Sequence, residues 1–479
     1  MKQYGSEYFG LVSSTQQILV YFTIFEAGIG AASIQALYKS LADNDYKRTN
    51  AILITTKKFY NRAALLYSIG LIILAFVYPL ILKGQISQQE VILLVLVMGT
   101  SGVVEFLIQG KYRVLLTADQ KLSTLNNFIC ISQLVGLLIR VVLIVLGYDI
   151  VLVQASFTVV TIIRAVWISV YVRKKYKYIN FTSDISDPIN QRKAVIIQQL
   201  AGLVVYNTPT LFLTIFTDLK TVSLYAVYNF VFSSLYSILT YTFSVGVTAS
   251  FGNLGSNKDL KSLQINYNIY EFGYYLLFTV IYTVTAVMII PFVKLYTMGV
   301  DDIQYVNYKI AFLFIIIGLL NNIRVPMITM ISAMGHFEQT KYRALTEAII
   351  NVSVSLLLVF FIGIYGVLVG TIVSFLYRTL DMIIYTNKNI LNQTLLVTTK
   401  RIVVNISSAS VVCFVVFNFM DNVGISINSW WNWILVSIMT TIFVGMFITI
   451  TNCLVEPSTC KTIINKFLIL KQKRKGLKI

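Results

Sequence analysis

The sequence predicts an all-α polytopic membrane protein. Thirteen transmembrane helices are expected, arranged as two parallel-repeat helical lobes around a central cavity plus an extra C-terminal helix pair. Three observations carry this prediction. Of 479 residues, 57% are hydrophobic and only 12% are charged, with mean hydropathy +0.76, whereas soluble domains carry roughly 25% charged residues. The apolar runs continue for about 20 residues without strand-like alternation, which suits helices and excludes a β-barrel. Basic residues also gather in alternate loops, as in multi-pass membrane proteins. Soluble enzymes and disordered chains are thereby excluded.

The spans follow in order. The first, 9–37, carries Glu26; the second covers 60–82; the third, 91–116, carries Glu105. The fourth and fifth, 125–146 and 150–172, contain Arg140 and Arg164. A polar stretch, 174–193, with Asp184, Asp187 and Pro188, separates the N-terminal lobe (1–173) from the C-terminal lobe (194–388). The sixth span, 194–216, includes Pro209, and 222–250 and 272–296 follow. The ninth, 309–333, holds Asn321, Asn322, Arg324 and Pro326. The tenth and eleventh, 345–363 and 366–386, bring Glu347, Arg378 and Asp381. An accessory pair at 402–420 and 430–453 closes the membrane part (389–453), ahead of a basic tail, 454–479.

Sidedness comes from counting. Counting charges at the span ends with the loops they adjoin, alternate loops and the tail hold 29 Lys and Arg, the opposite side holds five, and four arginines lie deep inside spans. The tail is therefore expected in the cytoplasm. The net charge of +18 then reflects cytoplasmic loops and contact with anionic lipid rather than nucleic acid. The mixed apolar and basic stretch 461–479 reads as an interfacial helix.

A shift of 216 residues superposes the halves. Gly30 meets Gly246, Gly102 meets Gly318, Gly147 meets Gly363, and Val151–Val153 meets the identical Val367–Val369. The repeat is parallel, and the span at 194–216 has no partner. The expectation is a 14-helix plan lacking the first helix.

The chain shows no nucleotide-binding, zinc-protease or nucleophile-elbow motif, and no extramembrane region large enough for catalysis. It is expected not to be an enzyme and to need no cofactor, so that any transport is driven by an ion gradient, of protons or sodium, or by the substrate's own gradient. The four cysteines have no paired spacing and there is one histidine, His336, in a short loop expected to be solvated. Neither a disulfide framework nor a zinc site is expected. The informative residues are intramembrane charges, each costly unless it faces a cavity or a partner. Arg140, Arg164, Arg324 and Arg378 outnumber the deep acids Glu26 and Glu105. Guanidinium groups stay charged and grip phosphate oxygens bidentately. The expectation is an anion-binding cavity built from these arginines with Asn321 and Asn322, with Glu26 and Glu105 as candidates for ion coupling. Pro209 and Pro326 are expected to bend their helices. Simple ion pairing, Arg378 with Asp381 for instance, is the structural alternative.

Three stretches carry a resemblance: Tyr4–Leu11; Arg324-Val325-Pro326 through Gly335, Thr340 and Glu347 to Asn351; and Gly363–Thr371 leading to Arg378. They resemble bacterial polysaccharide flippases (Wzx type) of the multidrug/oligosaccharidyl-lipid/polysaccharide (MOP) exporter superfamily. The resemblance implies a two-lobed 14-helix fold in the bacterial cytoplasmic (inner) membrane. It also implies transport of undecaprenyl-diphosphate-linked oligosaccharide to the outer leaflet for O-antigen or capsule, with a glycan polymerase and glycosyltransferases as partners. The alternatives are a cation-coupled drug or metabolite antiporter, a lipid II-type flippase, a scaffold in glycan assembly and, least favoured, a membrane glycan polymerase.

Overall fold

A computed structural model of the chain describes residues 1–26, 28–179, 193–256, 259–424, 427–463 and 465. Among them every regular element is helical, and twelve helices are long and apolar enough to cross a membrane. The protein is a multi-pass membrane protein.

The chain divides into two compact units. The first comprises 1–226 with 359–364 and the second 227–358 with 365–479. In the first, α1 (Gly5–Tyr21) ends in a 3₁₀ turn, Phe22–Glu26, before α2 (Ile29–Ala42). Next come α3 (Tyr46–Ile81) and α4 (Gln88–Val104), one π-turn at Glu105–Gln109, and α5 (Gly110–Ala118). Helices α6 (Leu122–Val145), α7 (Ile150–Lys175) and α8 (Lys193–Phe216) complete the unit with the start of α9 (Leu219–Phe243). Asp45, Ser87 and Asp149 cap α3, α4 and α7 by accepting backbone N–H bonds at their first turns.

The second unit holds the rest of α9, then α10 (Val245–Ser256), α11 (Leu260–Tyr296), α12 (Tyr308–Ile323) and α13 (Val325–Met334). Most of α14 (Phe337–Ile362), α15 (Ile364–Tyr385) with a π-turn at Thr386–Ile390, α16 (Leu396–Val423) and α17 (Trp430–Val455) follow.

The repeat is visible as shared defects. The α1/α2 break ends at Gly28, and 216 residues later Ser244 separates α9 from α10. The π-turn at Glu105–Gln109 corresponds in the same way to the α12/α13 break around Arg324. Gly147 and Gly363 both take positive φ (81° and 56°) at the turns before α7 and α15, where a side chain would be strained. Gly102 and Gly318 each face a tyrosine ring, Tyr67 and Tyr282, in the space a Cβ would fill, which is close helix packing through small residues.

Four expectations need correction. The first span, 9–37, is not one helix. The 3₁₀ turn and Gly28 (φ 79°) split it into α1 and α2, of 17 and 14 residues, so twelve helices among the described residues, not the thirteen expected, are long and apolar enough to cross a membrane. The helix expected to open the C-terminal lobe, α8, packs instead along α1, where Tyr21 bonds Thr208 at 2.7 Å. Pro209 does lie within a helix. Pro326 sits in the first turn of α13, after the break at Arg324, where a missing N–H has no helical partner to lose. Cys453 and Cys460 form a disulfide with Cα atoms 5.6 Å apart, because the chain turns at Glu456 just past α17. The tail beyond 465 and the loop at 180–192 lie outside the described residues.

Candidate functional site

The site grows from the break between α12 and α13. Where the ladder is interrupted, the freed Leu320 carbonyl accepts from Thr379 (3.2 Å) and the Ile323 carbonyl accepts from Tyr275 (2.9 Å), so the broken backbone is satisfied inside the protein. At the break Arg324 turns inward, 3% exposed. Its Nε and Nη2 donate to Asn321 Oδ1 (3.1 and 2.7 Å), its Nη1 to Glu347 Oε1 (2.5 Å), and its plane lies 4.1 Å over the Phe375 ring. Glu347, on α14, is shared: its Oε2 stands 3.5 Å from Arg378 Nε. Arg378, on α15 and 2% exposed, donates through Nη1 to Asp381 Oδ2 at 2.9 Å. Arg343 donates to the other Asp381 oxygen and stacks 4.9 Å from the Tyr385 ring. Tyr385 in turn bonds His336 Nδ1 at 3.0 Å, so the histidine expected to be solvated is half-buried and partnered.

Asn321, Arg324 and Arg378 are thus brought into one network. Within it three guanidinium groups meet two carboxylates, so the network itself carries one positive charge in excess. Asn322 is not part of it. Asn322 is fully buried, donates to Tyr282 (2.8 Å) and Gly318 O (2.8 Å) and accepts from Tyr274 (2.9 Å), which spends its amide on packing α12 against α11.

In the first unit the expected residues lie apart. Glu26 sits at the helix break, accepting from Tyr60 (2.6 Å) and from Arg113 on α5. Glu105, in the π-turn, pairs with Arg164 on α7. Arg140 has no carboxylate partner among the described residues; its guanidinium lies 4.4 Å from the Phe157 ring, a cation–π contact. The expected surplus of four arginines is therefore smaller in the folded chain, since three of them meet acids.

No protein-family model matches the chain, and no curated protein matches it in sequence. In structure it is similar to an inward-facing multidrug resistance MATE family transporter of the MOP superfamily, with TM-score 0.62 and 12% identity over 81% of this chain and 92% of that one. It is also similar to the lipid II flippase MurJ in an inward closed conformation, with TM-score 0.61 and 13% identity over 93% and 97%. A MOP superfamily transporter from Pyrococcus furiosus, described by the reverse polarity of its binding pocket, matches with TM-score 0.54 and 12% identity over 81% and 89%. The chain has the fold of the MOP-superfamily transporters.

Within this fold, sequence reasoning missed a second buried ion network. Arg401 on α16 donates to Glu271 on α11 (2.7 Å) and bidentately to Glu456 past α17 (2.9 and 2.7 Å), while Thr398 also donates to Glu271 (2.9 Å). It ties the accessory pair to α11. Burial pushes the Glu456 carboxyl up, but the bonds and charge of Arg401, with Thr459 and Lys400, outweigh this and hold it below its ordinary value. Both Glu271 and Arg401 fall one residue outside the predicted spans 272–296 and 402–420, so they read as loop charges. Arg113, near the end of the span 91–116, likewise reads with the adjoining loop charges although it lies on α5. The only signal available was that each charge borders a long apolar run.

Proposed function

We propose that the chain is a flippase moving an undecaprenyl-diphosphate-linked oligosaccharide from the cytoplasmic to the outer leaflet by alternating access. A diphosphate and a string of sugars cannot enter hydrocarbon unaided, whereas the polyprenyl tail can stay in lipid. The observation that supports this most is the Arg324–Glu347–Arg378–Asp381–Arg343 network, three cations on two carboxylates, set beside a broken helix. An entering diphosphate would replace Glu347 as the partner of Arg324 or Arg378, exchanging one anion for another rather than exposing a bare charge. The break at Arg324 and its counterpart at Glu105–Gln109 supply places where helices can pivot. Coupling to protons or sodium would run through Glu26 or Glu105, each exchanging its arginine partner for the ion. The reading places the protein in the bacterial inner membrane with a cytoplasmic C-terminus, serving the polymerase and glycosyltransferases of a surface polysaccharide.

The test is deletion of the gene with fractionation of lipid-linked and surface glycan, followed by complementation. Loss of surface glycan with the lipid-linked repeat trapped inside, restored by the wild type and not by Arg324→Ala at equal protein level, supports the flippase. Unchanged glycan together with new sensitivity to cationic compounds refutes it in favour of the antiporter. The match spanning 97% of MurJ favours lipid II as a second substrate reading. Accumulation of lipid II on deletion, with surface polysaccharide intact, would select it.

A further inference from the structure

We propose that a cavity in the first unit, beside the α1/α2 break, seats one neutral sugar ring of the carried glycan; this rests on the flippase reading above. The cavity measures about 400 Å³, at the small end of ligand pockets, and its walls combine three kinds of group.

Thr23, Gln199 and Asn207 bring a hydroxyl and two carboxamides. One amide hydrogen of Asn207 bonds Leu203 O at 2.8 Å, and its carboxamide oxygen makes no hydrogen bond among the described residues. Tyr206, 43% exposed, brings an aromatic ring. Glu26 brings a carboxylate whose charge is already met by Arg113 and whose Oε1 also accepts from Tyr60 at 2.6 Å. The opposed charges of Glu26 and Arg113 offset each other, so with this pair formed the wall carries no net charge. Donors and acceptors beside a ring face, with no net charge, suit a polyhydroxyl ligand that has an apolar C–H face to lay on tyrosine and hydroxyls to share with amides and carboxylate. Thr23 and Glu26 of the 3₁₀ turn and Gly28 just after it all line this space.

Gly202 gives the means of testing it. Gly202 lines the cavity and a Cβ there meets nothing within 4 Å, so Gly202→Leu starts its side chain in open space at the cavity wall. Gly273, equally open in the second unit, gives the control Gly273→Leu. The full chain in nanodiscs is probed by saturation-transfer NMR with methyl glucoside, methyl N-acetylglucosaminide, glucosamine and glucuronate.

The expected result is transfer to the first two. Affinity falls about tenfold in Gly202→Leu and in Tyr206→Ala, the order of one lost aromatic contact, and is unchanged in Gly273→Leu. Equal transfer in Gly202→Leu, transfer only to the charged sugars, or none at all overturns the proposal. Displacement of the glucoside by a lipid-linked disaccharide and not by undecaprenyl phosphate assigns the site to carrier-borne sugar. Displacement by neither removes it from the transport cycle. The two readings fail separately. If the deletion strain loses surface glycan but Gly202→Leu restores it fully, the sugar site falls and the flippase stands. If the deletion strain keeps its glycan, the flippase reading falls.

Discussion

Replacing Glu347 by glutamine removes the one carboxylate that Arg324 and Arg378 share. Both arginines are 3% exposed or less and Glu347 is 8% exposed, so water cannot take over its role. Asp381 alone then faces Arg378 and Arg343, and Arg324 loses its Glu347 carboxylate while keeping its bonds to Asn321. Removing one member of a buried pair costs about 3–5 kcal/mol. A domain of the size of the second unit loses ~2–4 °C of melting temperature per kcal/mol, so Glu347→Gln is expected to melt about 6–20 °C below wild type. The exposed pair Lys220–Glu7, 3.6 Å apart with side chains 39% and 38% exposed, gives the comparison, since such a pair contributes about 0–1 kcal/mol. The assay is thermal unfolding of purified protein in one detergent, followed by size exclusion. The double variant Glu347→Gln/Arg378→Gln should recover part of the loss, because it removes one of the stranded cations. If Glu347→Gln melts no lower than Glu7→Gln, the buried network does not hold the second unit together and the reasoning fails.

Gly102→Leu and Gly318→Leu should each reduce the yield of folded protein, because the new side chain meets Tyr67 or Tyr282; overpacking costs about 1–3 kcal/mol or more. Size-exclusion profiles against Gly273→Leu check this. Glu456 is held below its ordinary value and Asp259, capping α11, is lowered by the side-chain and backbone hydrogen bonds of Ser262. Their stabilisation is therefore present above the unfolded carboxylate values of about 4 and is lost as pH falls through the lower folded values. Melting temperature should drop over that acid range, and the drop should be smaller in Glu456→Gln. Maleimide labelling of unreduced protein should leave Cys453 and Cys460 unmodified until a reductant is added; mass spectrometry of the tryptic peptides reads this directly.

The sequence by itself determined the membrane class, nearly all the spans and the repeat. These depend on properties that accumulate along the chain: about 20 apolar residues are enough to span a bilayer whatever their neighbours are, and a glycine that needs positive φ shows at Gly147 and Gly363 alike. The helix breaks were only half legible. Pro326 pointed to the right region, yet the break lies at Arg324, and nothing in the composition of Phe22–Glu26 distinguishes its 3₁₀ turn from a helix. The candidate residues were legible as intramembrane charges, but not their partners. Arg164 finds Glu105 from 59 residues away and Arg401 finds Glu271 from 130 residues away. Asn321 and Asn322, adjacent in sequence, go to different tasks because a helix turns successive side chains about 100° apart. Only the tertiary structure decided which charges are paired, because Coulomb energy and hydrogen bonding depend on distance through space between helices, and that distance is set by packing rather than by position in the chain.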